Sequence, residues 1–230
     1  MSGENEAGAV GQSIPRLEVR EKTTGRAQYI ADMSSPGMLH GAILQSPYAH
    51  ARILSYDVSE ALAMPGVVDV LTGDDLGDGR MGAFIKDEHA IAKHKVRYVG
   101  EPVAAVAAET ETIARRAVRL IQIEYEELAA VLTPDEGLAN DAPIIHEHLD
   151  DYIKVFPAVC GGNLVSRTEL SQGDLDKGFA EADFIVEGTY ETPAQAHLAI
   201  EPCGALAEMD ASGRVTLWSA NQSVFRVQAN

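Results

Sequence analysis

The chain has 230 residues, of which 46% are hydrophobic, which is enough to bury one sizeable core or two small ones. Its 18 basic and 35 acidic residues give a formal net charge of -17, and such a field repels phosphate backbones, which disfavours nucleic-acid binding. No apolar run approaches the ~18 residues of a membrane-spanning helix, and the first residues lack the basic and apolar regions of a signal peptide, so we expect a cytoplasmic protein.

The first half of the chain predicts alternating strands and short helices behind a mobile leader at 1–13. A buried strand is predicted at 39–44 and an alternating strand at 51–58. Ser59 is expected to cap a short helix, and a β-branched strand follows at 67–71 after a Pro-Gly stop. These elements predict a domain of mixed α and β structure.

The middle of the chain is typical of a βαβ-like unit. A buried strand at 102–108 leads to a helix from about Thr112, and a second strand follows at 121–125. The apolar residues of the helix share one side, while its arginines face elsewhere. This pattern indicates packing rather than chemistry.

A second pattern begins after a weakly periodic stretch at 132–151, which predicts a linker. It contains a short helix capped by Asp174, a strand at 184–192, and a hairpin whose strands are 205–209 and 215–219. Because the chain stops soon after a strand, we expect this second domain to be incomplete.

The sequence disfavours several classes of catalytic and metal site. The seven histidines lack His-Glu-x-x-His spacing, and Cys160 and Cys203 are isolated, which argues against zinc, iron–sulfur and disulfide frameworks. A Gly-x-Gly-x-x-Gly match at 77–82 opens no amphipathic helix, so we interpret it as a loop. Walker loops and Gly-x-Ser-x-Gly elbows are absent.

Two groups of polar residues resemble sites but have simpler explanations. His146 and His148 are two residues apart, yet a solvated loop near the linker accounts for them. The acidic run at 124–127 lies at the exit of a strand, where exposed charge is expected. We therefore predict no site at either place.

Two later segments are better candidates. Residues 195–202 carry His197 and Glu201 four positions apart, a pattern that satisfied polar residues at a turn or interface also explain. At 218–223 a strand leads into a polar loop that contains Gln222. Sites are often built at strand ends, and an amide can donate to an oxo or carbonyl group without a particular pKa.

Several ordered segments resemble one family of molybdenum enzymes. Residues 25–32, 39–53, 64–76, 96–104 and 123–128 resemble the α/β hammerhead domain in the molybdenum subunit of xanthine dehydrogenases and aldehyde oxidases. Residues 172–190, His197 to Pro202 and Trp218 to Gln222 resemble the beginning of that subunit's first molybdopterin-binding domain. The resemblance implies an α+β (mixed α/β) fold, with a hammerhead domain at 14–135, a linker at 136–160 and the N-terminal portion of the cofactor domain at 161–230.

The resemblance implies a role for one residue in particular. Gln222 matches a glutamine whose side-chain amide hydrogen-bonds an oxo ligand of molybdenum, so it is the expected cofactor-binding residue. His197 and Glu201 match a His-x-x-x-Glu-Pro motif, for which a structural role is expected. Ala220-Asn221 replaces a common Ser-Thr pair, and Leu128-Ala129 replaces Leu-Pro. No catalytic residue or direct metal ligand is expected from this chain.

The implied function is that of one subunit of a molybdenum hydroxylase. It would oxidise an N-heterocycle, aldehyde or related small molecule with oxygen derived from water, and electrons would pass to [2Fe-2S] clusters and FAD on partner subunits. The family's glycine-rich loop and general-base glutamate lie beyond the position matched by Asn230. We therefore expect a hetero-oligomer in which a C-terminal molybdenum-subunit chain shares the molybdenum–molybdopterin cofactor, alongside a [2Fe-2S] subunit and an FAD subunit. A truncated gene would give the same sequence.

The sequence also leaves open two alternatives to a molybdenum hydroxylase. One is a family member with non-hydroxylating chemistry, such as a hydratase, a reductive dehydroxylase or a CO dehydrogenase. Another is a non-catalytic scaffold subunit of such a complex. In every case an unfinished cofactor domain should expose apolar surface.

Overall fold

A computed structural model describes residues 11–155 and 161–229. Its contacts divide the chain into two compact units. The smaller unit contains the described residues up to Ser35 together with Pro193–Ser223, and the larger contains Pro36–Thr192 and the residues from Val224 onward. Most of the expected leader, Cys160 and the end of the expected linker lie outside the described residues.

The secondary structure consists of short helices and strands. The helices are α1 (Val19–Thr23), α2 (Ser59–Leu62), α3 (Glu111–Ala117), α4 (Pro134–Leu138), α5 (Leu175–Glu181) and α6 (Val224–Ala229). The strands are β1 (His40–Gln45), β2 (Ala51–Asp57), β3 (Val67–Thr72), β4 (Lys95–Val96), β5 (Pro102–Ala108), β6 (Gln122–Glu127), β7 (Ala205–Met209) and β8 (Val215–Ser219).

Two antiparallel sheets form the larger unit. One has the strand order β1-β5-β3 and the other has the order β4-β2-β6. The prediction of a βαβ-like unit in the middle of the chain is therefore wrong in its pairing. Both edges of β5 are occupied by β1 and β3, so β6 pairs with β2 in the other sheet instead.

Small residues allow α3 to approach its sheet closely. Ala114 and Ala117 of α3 are buried in one core with Ala104, Val106 and Ala108 of β5. The Thr110 side chain accepts the Ile113 backbone N–H and so caps the start of the helix. The amphipathic packing predicted for this helix is confirmed.

The first strand is only partly buried. Its burial alternates along β1, and the Ile43 side chain is 61% exposed, so the expectation of a buried strand holds for one face only. The predicted Ser59 cap is wrong, because Val58 occupies the N-cap position. Asp57 instead accepts hydrogen bonds from the Ser59 backbone N–H and hydroxyl, which lower the pKa of the Asp57 carboxyl.

The segment that follows β6 packs against the strands of the larger unit. Thr133 and Glu136 form a capping box at the start of α4. Further along, the Ile145 carbonyl accepts from Lys95 Nζ at 2.8 Å and from Arg97 Nε at 3.2 Å. Two cationic donors thus hold a single peptide group of this segment.

The residues between this segment and the hairpin are mostly exposed. The Asp174 cap is confirmed, because its side chain accepts the Lys177 backbone N–H at the start of α5. The strand predicted at 184–192 is wrong: these residues pair with no other strand in the described part of the chain. Phe184, Val186 and Tyr190 are each at least 90% exposed, in line with the expected exposure of apolar surface.

The predicted hairpin is confirmed in the smaller unit. β7 and β8 pair antiparallel from Ala205–Ser219 to Met209–Val215. Asp210 accepts hydrogen bonds from the backbone N–H groups of Ser212 and Arg214, and Gly213 supplies the positive φ of 83° that the turn requires. Within the described ranges no helix has the length and apolarity needed to cross a membrane.

Candidate functional site

Gln222 lies on a tight turn that follows β8. Asn221 braces this turn, because its Oδ1 accepts the Ser223 backbone N–H at 2.8 Å and its Nδ2 donates to the Ser219 carbonyl at 3.2 Å. The Gln222 side chain is exposed, and it makes no hydrogen bond to any residue that the structure describes. A carboxamide with free donors therefore projects from a backbone that its neighbour holds in place.

The hairpin fixes where this turn begins. Ala205 pairs with Ser219, and the Ala220 N–H donates to the Gly204 carbonyl at 3.1 Å. The pairing thus extends to Ala220, next to Asn221. Burial agrees, since Trp218, Ser219 and Ala220 are half-buried while the earlier residues of β8 are exposed.

Glu201 joins this region to the beginning of the chain. Its Oε1 accepts the Ile30 backbone N–H at 3.1 Å. Ile30 opens a 3-10 turn that ends at Asp32, and the N–H of the preceding Tyr29 donates to Asp32 Oδ2 at 3.0 Å. Two carboxylates therefore satisfy backbone donors at the start of this turn, and one of them comes from a distant part of the chain.

Ile30 also lies against the residue that precedes β7. A Cβ atom placed on Gly204 would lie 3.1 Å from Ile30 Cγ2, which is closer than most side chains tolerate. Glycine at this position lets the Ile30 side chain approach the backbone. Ile30 and Gly204 are thus in contact beside the Glu201 hydrogen bond.

The two residues of the His-x-x-x-Glu-Pro motif have different surroundings. His197 is exposed and forms no hydrogen bond or ion pair with the described residues, whereas Glu201 is half-buried and bonded. Leu198 between them has a φ of 47°, a left-handed conformation that costs energy in a residue with a side chain. The geometry agrees with a structural role for Glu201.

Sequence reasoning missed three contributors to this region. The bracing by Asn221 had a local sequence signal, because an asparagine side chain often accepts the backbone N–H two residues further on, as in an Asx turn. Gly204, directly before a predicted strand, offered a weaker one. No sequence signal indicated the role of Ile30, because its partner Glu201 lies 171 positions away along the chain.

A second polar cluster lies in the larger unit beside a cavity of about 430 Å³. His146 lines this cavity with Arg97, and its ring meets Tyr152 edge-on. Burial, reinforced by the nearby Arg97 charge, lowers the pKa of His146 to about 4. The interpretation of His146 as a solvated residue is therefore wrong, while His148 is exposed as expected.

Neither cluster has the composition of a metal-binding centre. Within 11–155 and 161–229, no three His, Cys, Asp or Glu side chains gather in a group that could hold a metal ion. The acidic run at 124–127 is exposed as predicted, with Glu126 paired to Arg52. Gln222 and the contacts around it are thus the better candidate for a functional site.

Two family models match the chain, one before the expected linker and one that begins at its last residues. Residues 24–129 match the a/b hammerhead domain of aldehyde oxidase and xanthine dehydrogenase, and residues 158–230 match the molybdopterin cofactor-binding domain. The chain belongs to the xanthine dehydrogenase and aldehyde oxidase family. Its α+β fold, a hammerhead domain followed by the beginning of a molybdopterin-binding domain, is confirmed.

Individual members of the xanthine dehydrogenase and aldehyde oxidase family resemble nearly the whole chain. A probable xanthine dehydrogenase subunit of Bacillus subtilis is 39% identical over 92% of this chain and 27% of its own length. The nicotinate dehydrogenase large molybdopterin subunit of Eubacterium barkeri is 35% identical over 93% of this chain and 48% of its own. The chain therefore spans between about a quarter and a half of these relatives.

A solved structure in this family shows the same fold. Quinoline 2-oxidoreductase from Pseudomonas putida 86 superposes with a TM-score of 0.77 at 36% identity, over 94% of this chain and 27% of that one. Gln222 falls within the molybdopterin cofactor-binding match. Its free amide donors suit an oxo or carbonyl group of a bound cofactor, so the chemistry of this position fits the group that the match implies.

Proposed function

We propose that this chain forms part of a molybdenum hydroxylase subunit and that Gln222 contacts the molybdenum–molybdopterin cofactor there. The observation that carries the proposal is the position of Gln222: an unengaged amide on a braced turn, inside the segment that matches a cofactor-binding domain. Glutamine is suited to this place because it donates hydrogen bonds without changing its charge with pH.

The chemical contribution of the chain itself is electrostatic. The Gln222 amide would donate to an oxygen on which negative charge accumulates, and Asn221 holds the backbone so that little reorganisation is needed. Removing one such preorganised donor from an active site slows catalysis by about 10² to 10³ fold. When bound, the cofactor supplies the two-electron oxidation and the transfer of an oxygen that comes from water.

The proposed substrates are N-heterocycles, aldehydes or related small molecules, and electrons would leave through [2Fe-2S] clusters to FAD on partner subunits. Support for partners comes from the surface of the second half of the chain. The exposed Phe184, Val186 and Tyr190 side chains need an apolar covering in water. We propose that the remainder of a molybdenum subunit, in the same or a separate polypeptide, provides it.

The test uses the complex purified through a tag on the native gene. Gln222→Ala is compared with Gln228→Ala, a glutamine on α6 that is also exposed. Molybdenum content is measured first, and the electron paramagnetic resonance spectrum of Mo(V) is then recorded after partial reduction with dithionite. We expect Gln222→Ala to alter the spectrum while Gln228→Ala leaves it unchanged. Wild-type spectra from both variants would overturn the proposed role of Gln222.

Hydroxylation is tested separately from the role of Gln222. The wild-type complex is supplied with nicotinate, xanthine, quinoline and an aromatic aldehyde in ¹⁸O-labelled water, with an artificial electron acceptor. Incorporation of ¹⁸O into a product, with reduction of the acceptor, is the expected result. A molybdenum-containing complex that adds water or removes a hydroxyl group without net oxidation would contradict hydroxylation, and a complex without molybdenum would favour the scaffold.

A further inference from the structure

We propose that Glu201 is a positioning residue for Gln222, which it holds in place by fastening Ile30 against the start of the hairpin. The inference rests on the proposed function, because it concerns the residue that contacts the cofactor there. It adds a role for Glu201 and for the beginning of the chain. The link consists of successive contacts within the smaller unit.

The first contact is a charged cap supplied from a distance. The first backbone donors of the 3-10 turn at 30–32, like those of any helix, have no partner within the turn. Asp32 satisfies the N–H of Tyr29, and Glu201 satisfies the N–H of Ile30. A carboxylate that accepts a backbone N–H forms one of the stronger hydrogen bonds in proteins, so Glu201 holds the turn at a defined place.

The second contact connects Ile30 to the start of the hairpin. Ile30, held by Glu201, lies so close to Gly204 that no Cβ atom fits between them without a shift. The Gly204 carbonyl in turn accepts the Ala220 N–H at 3.1 Å. Ala220 directly precedes Asn221, the residue that braces the Gln222 turn. Loss of the Glu201 hydrogen bond therefore frees the backbone on which Gln222 stands.

A third observation is the conformation of the loop before Glu201. Leu198 adopts a positive φ of 47°, although its side chain is 86% exposed and gains little from packing. An exposed leucine keeps a strained conformation only when the surrounding structure imposes it. The hydrogen bond between Glu201 and Ile30, three positions after Leu198 in the sequence, is such a constraint.

Hydrogen–deuterium exchange on the purified complex tests the link without relying on activity. Glu201→Ala should speed exchange about tenfold or more both at Ile30 and at Ala220. Glu201→Gln keeps an acceptor oxygen but loses the charge, so its exchange should fall between wild type and Glu201→Ala. The matched control is Glu208→Ala, since Glu208 is exposed on β7 and its side chain has no partner among the described residues. Faster exchange at Ile30 with no change at Ala220 would overturn the proposal.

A double-mutant comparison separates positioning from general stabilisation. If Glu201 acts through Gln222, Glu201→Ala should alter the Mo(V) spectrum at unchanged molybdenum content, and it should add nothing in the Gln222→Ala background. If Glu201→Ala changed the spectrum as much in the Gln222→Ala background as it does in the wild type, the proposal would be overturned. Should the Glu201→Ala complex fail to assemble, Gly204→Ala probes the same link from its other side, with the same two outcomes. If Gln222→Ala alone leaves the spectrum unchanged, the proposed function fails, while the exchange result still reports on the link itself.

Discussion

The carboxylate of Glu201 accepts the backbone N–H of Ile30 across a separation of 171 residues. Ile30 belongs by sequence to the hammerhead match at 24–129, and Glu201 belongs to the molybdopterin-binding match at 158–230. In the structure both lie in the smaller unit. The beginning of the hammerhead match is therefore packed with the cofactor-binding segment, where it contributes to the surroundings of Gln222.

Gly204→Ala is expected to loosen this packing. The new methyl group would lie 3.1 Å from Ile30 Cγ2, so either Ile30 or the backbone must move. Such overpacking costs typically about 1 to 3 kcal/mol in a core, and an exposed glycine beside the half-buried Ile30 should fall at the lower end. Thermal unfolding should show the loss. The double variant Ile30→Ala/Gly204→Ala should be less destabilised than the sum of its single variants, and strict additivity would show that the two residues are not in contact.

Leu198→Gly is expected to stabilise the smaller unit slightly or leave it unchanged. Glycine adopts the left-handed conformation without the strain of about 1 to 2 kcal/mol that a side chain incurs, although it also gains entropy in the unfolded chain. The neighbouring Ala199→Gly serves as control and should destabilise, because only the entropy change applies there. A clear loss of thermal stability in Leu198→Gly alone would mean that the exposed leucine side chain has a role that its strain does not reveal.

His146 makes the larger unit sensitive to acid. Burial lowers its pKa from 6.5 to about 4, so the unfolded chain takes up a proton at higher pH than the folded chain does. Stability should consequently fall as the pH drops from about 6.5 towards 4. We expect His146→Leu, measured by thermal unfolding at several pH values, to lose less stability than wild type across this window.

His148→Leu is the matched control for this pH dependence. His148 is exposed and lies two positions from His146, so this variant shows whether a histidine-to-leucine change in this segment alters stability by itself. Glu101 changes stability in the opposite sense, because burial raises the pKa of its carboxyl, but it is present in both variants. Identical acid profiles for His146→Leu and wild type would show that His146 is not buried as a neutral group.

Lys95→Met is expected to weaken the packing of the segment that follows β6 and contains Ile145. The Lys95 ammonium is almost buried and donates to the Ile145 carbonyl, while Glu147 accepts from it at the surface. Loss of a hydrogen bond from a charged donor costs about 1.5 to 3 kcal/mol, and Arg97, which also donates to Ile145, should limit the loss to the lower value. Calorimetry should detect it. Lys93→Met removes only the ion pair with the exposed Asp78 and should change stability much less.

Local features of the fold could be predicted from the sequence because they depend on residues close together in the chain. The Asp174 cap and the hairpin around Asp210 are of this kind, since side-chain acceptors and a glycine define them. Strand pairing was not predictable in the same way. The pattern of β5 indicates a buried strand, but it does not show that β1 and β3 occupy both of its edges.

The strand predicted at 184–192 shows a related limit. Its alternating pattern favours extended structure, yet a strand needs a hydrogen-bonding partner, and the described chain provides none for these residues. The sequence predicted only part of the candidate site. The resemblance identified Gln222, and an Asx turn could be inferred at Asn221, whereas the contact between Ile30 and Glu201 requires the tertiary structure.

The most direct test of the central claim is elemental analysis of the native complex. The chain is purified through a tag on its own gene in its own host, and molybdenum, iron and co-purifying subunits are quantified. Close to one molybdenum per copy of the chain, together with iron and partner subunits, is the predicted result. Recovery of the chain without molybdenum, under conditions where other molybdenum enzymes of the host are loaded, would contradict its assignment as part of a molybdenum hydroxylase.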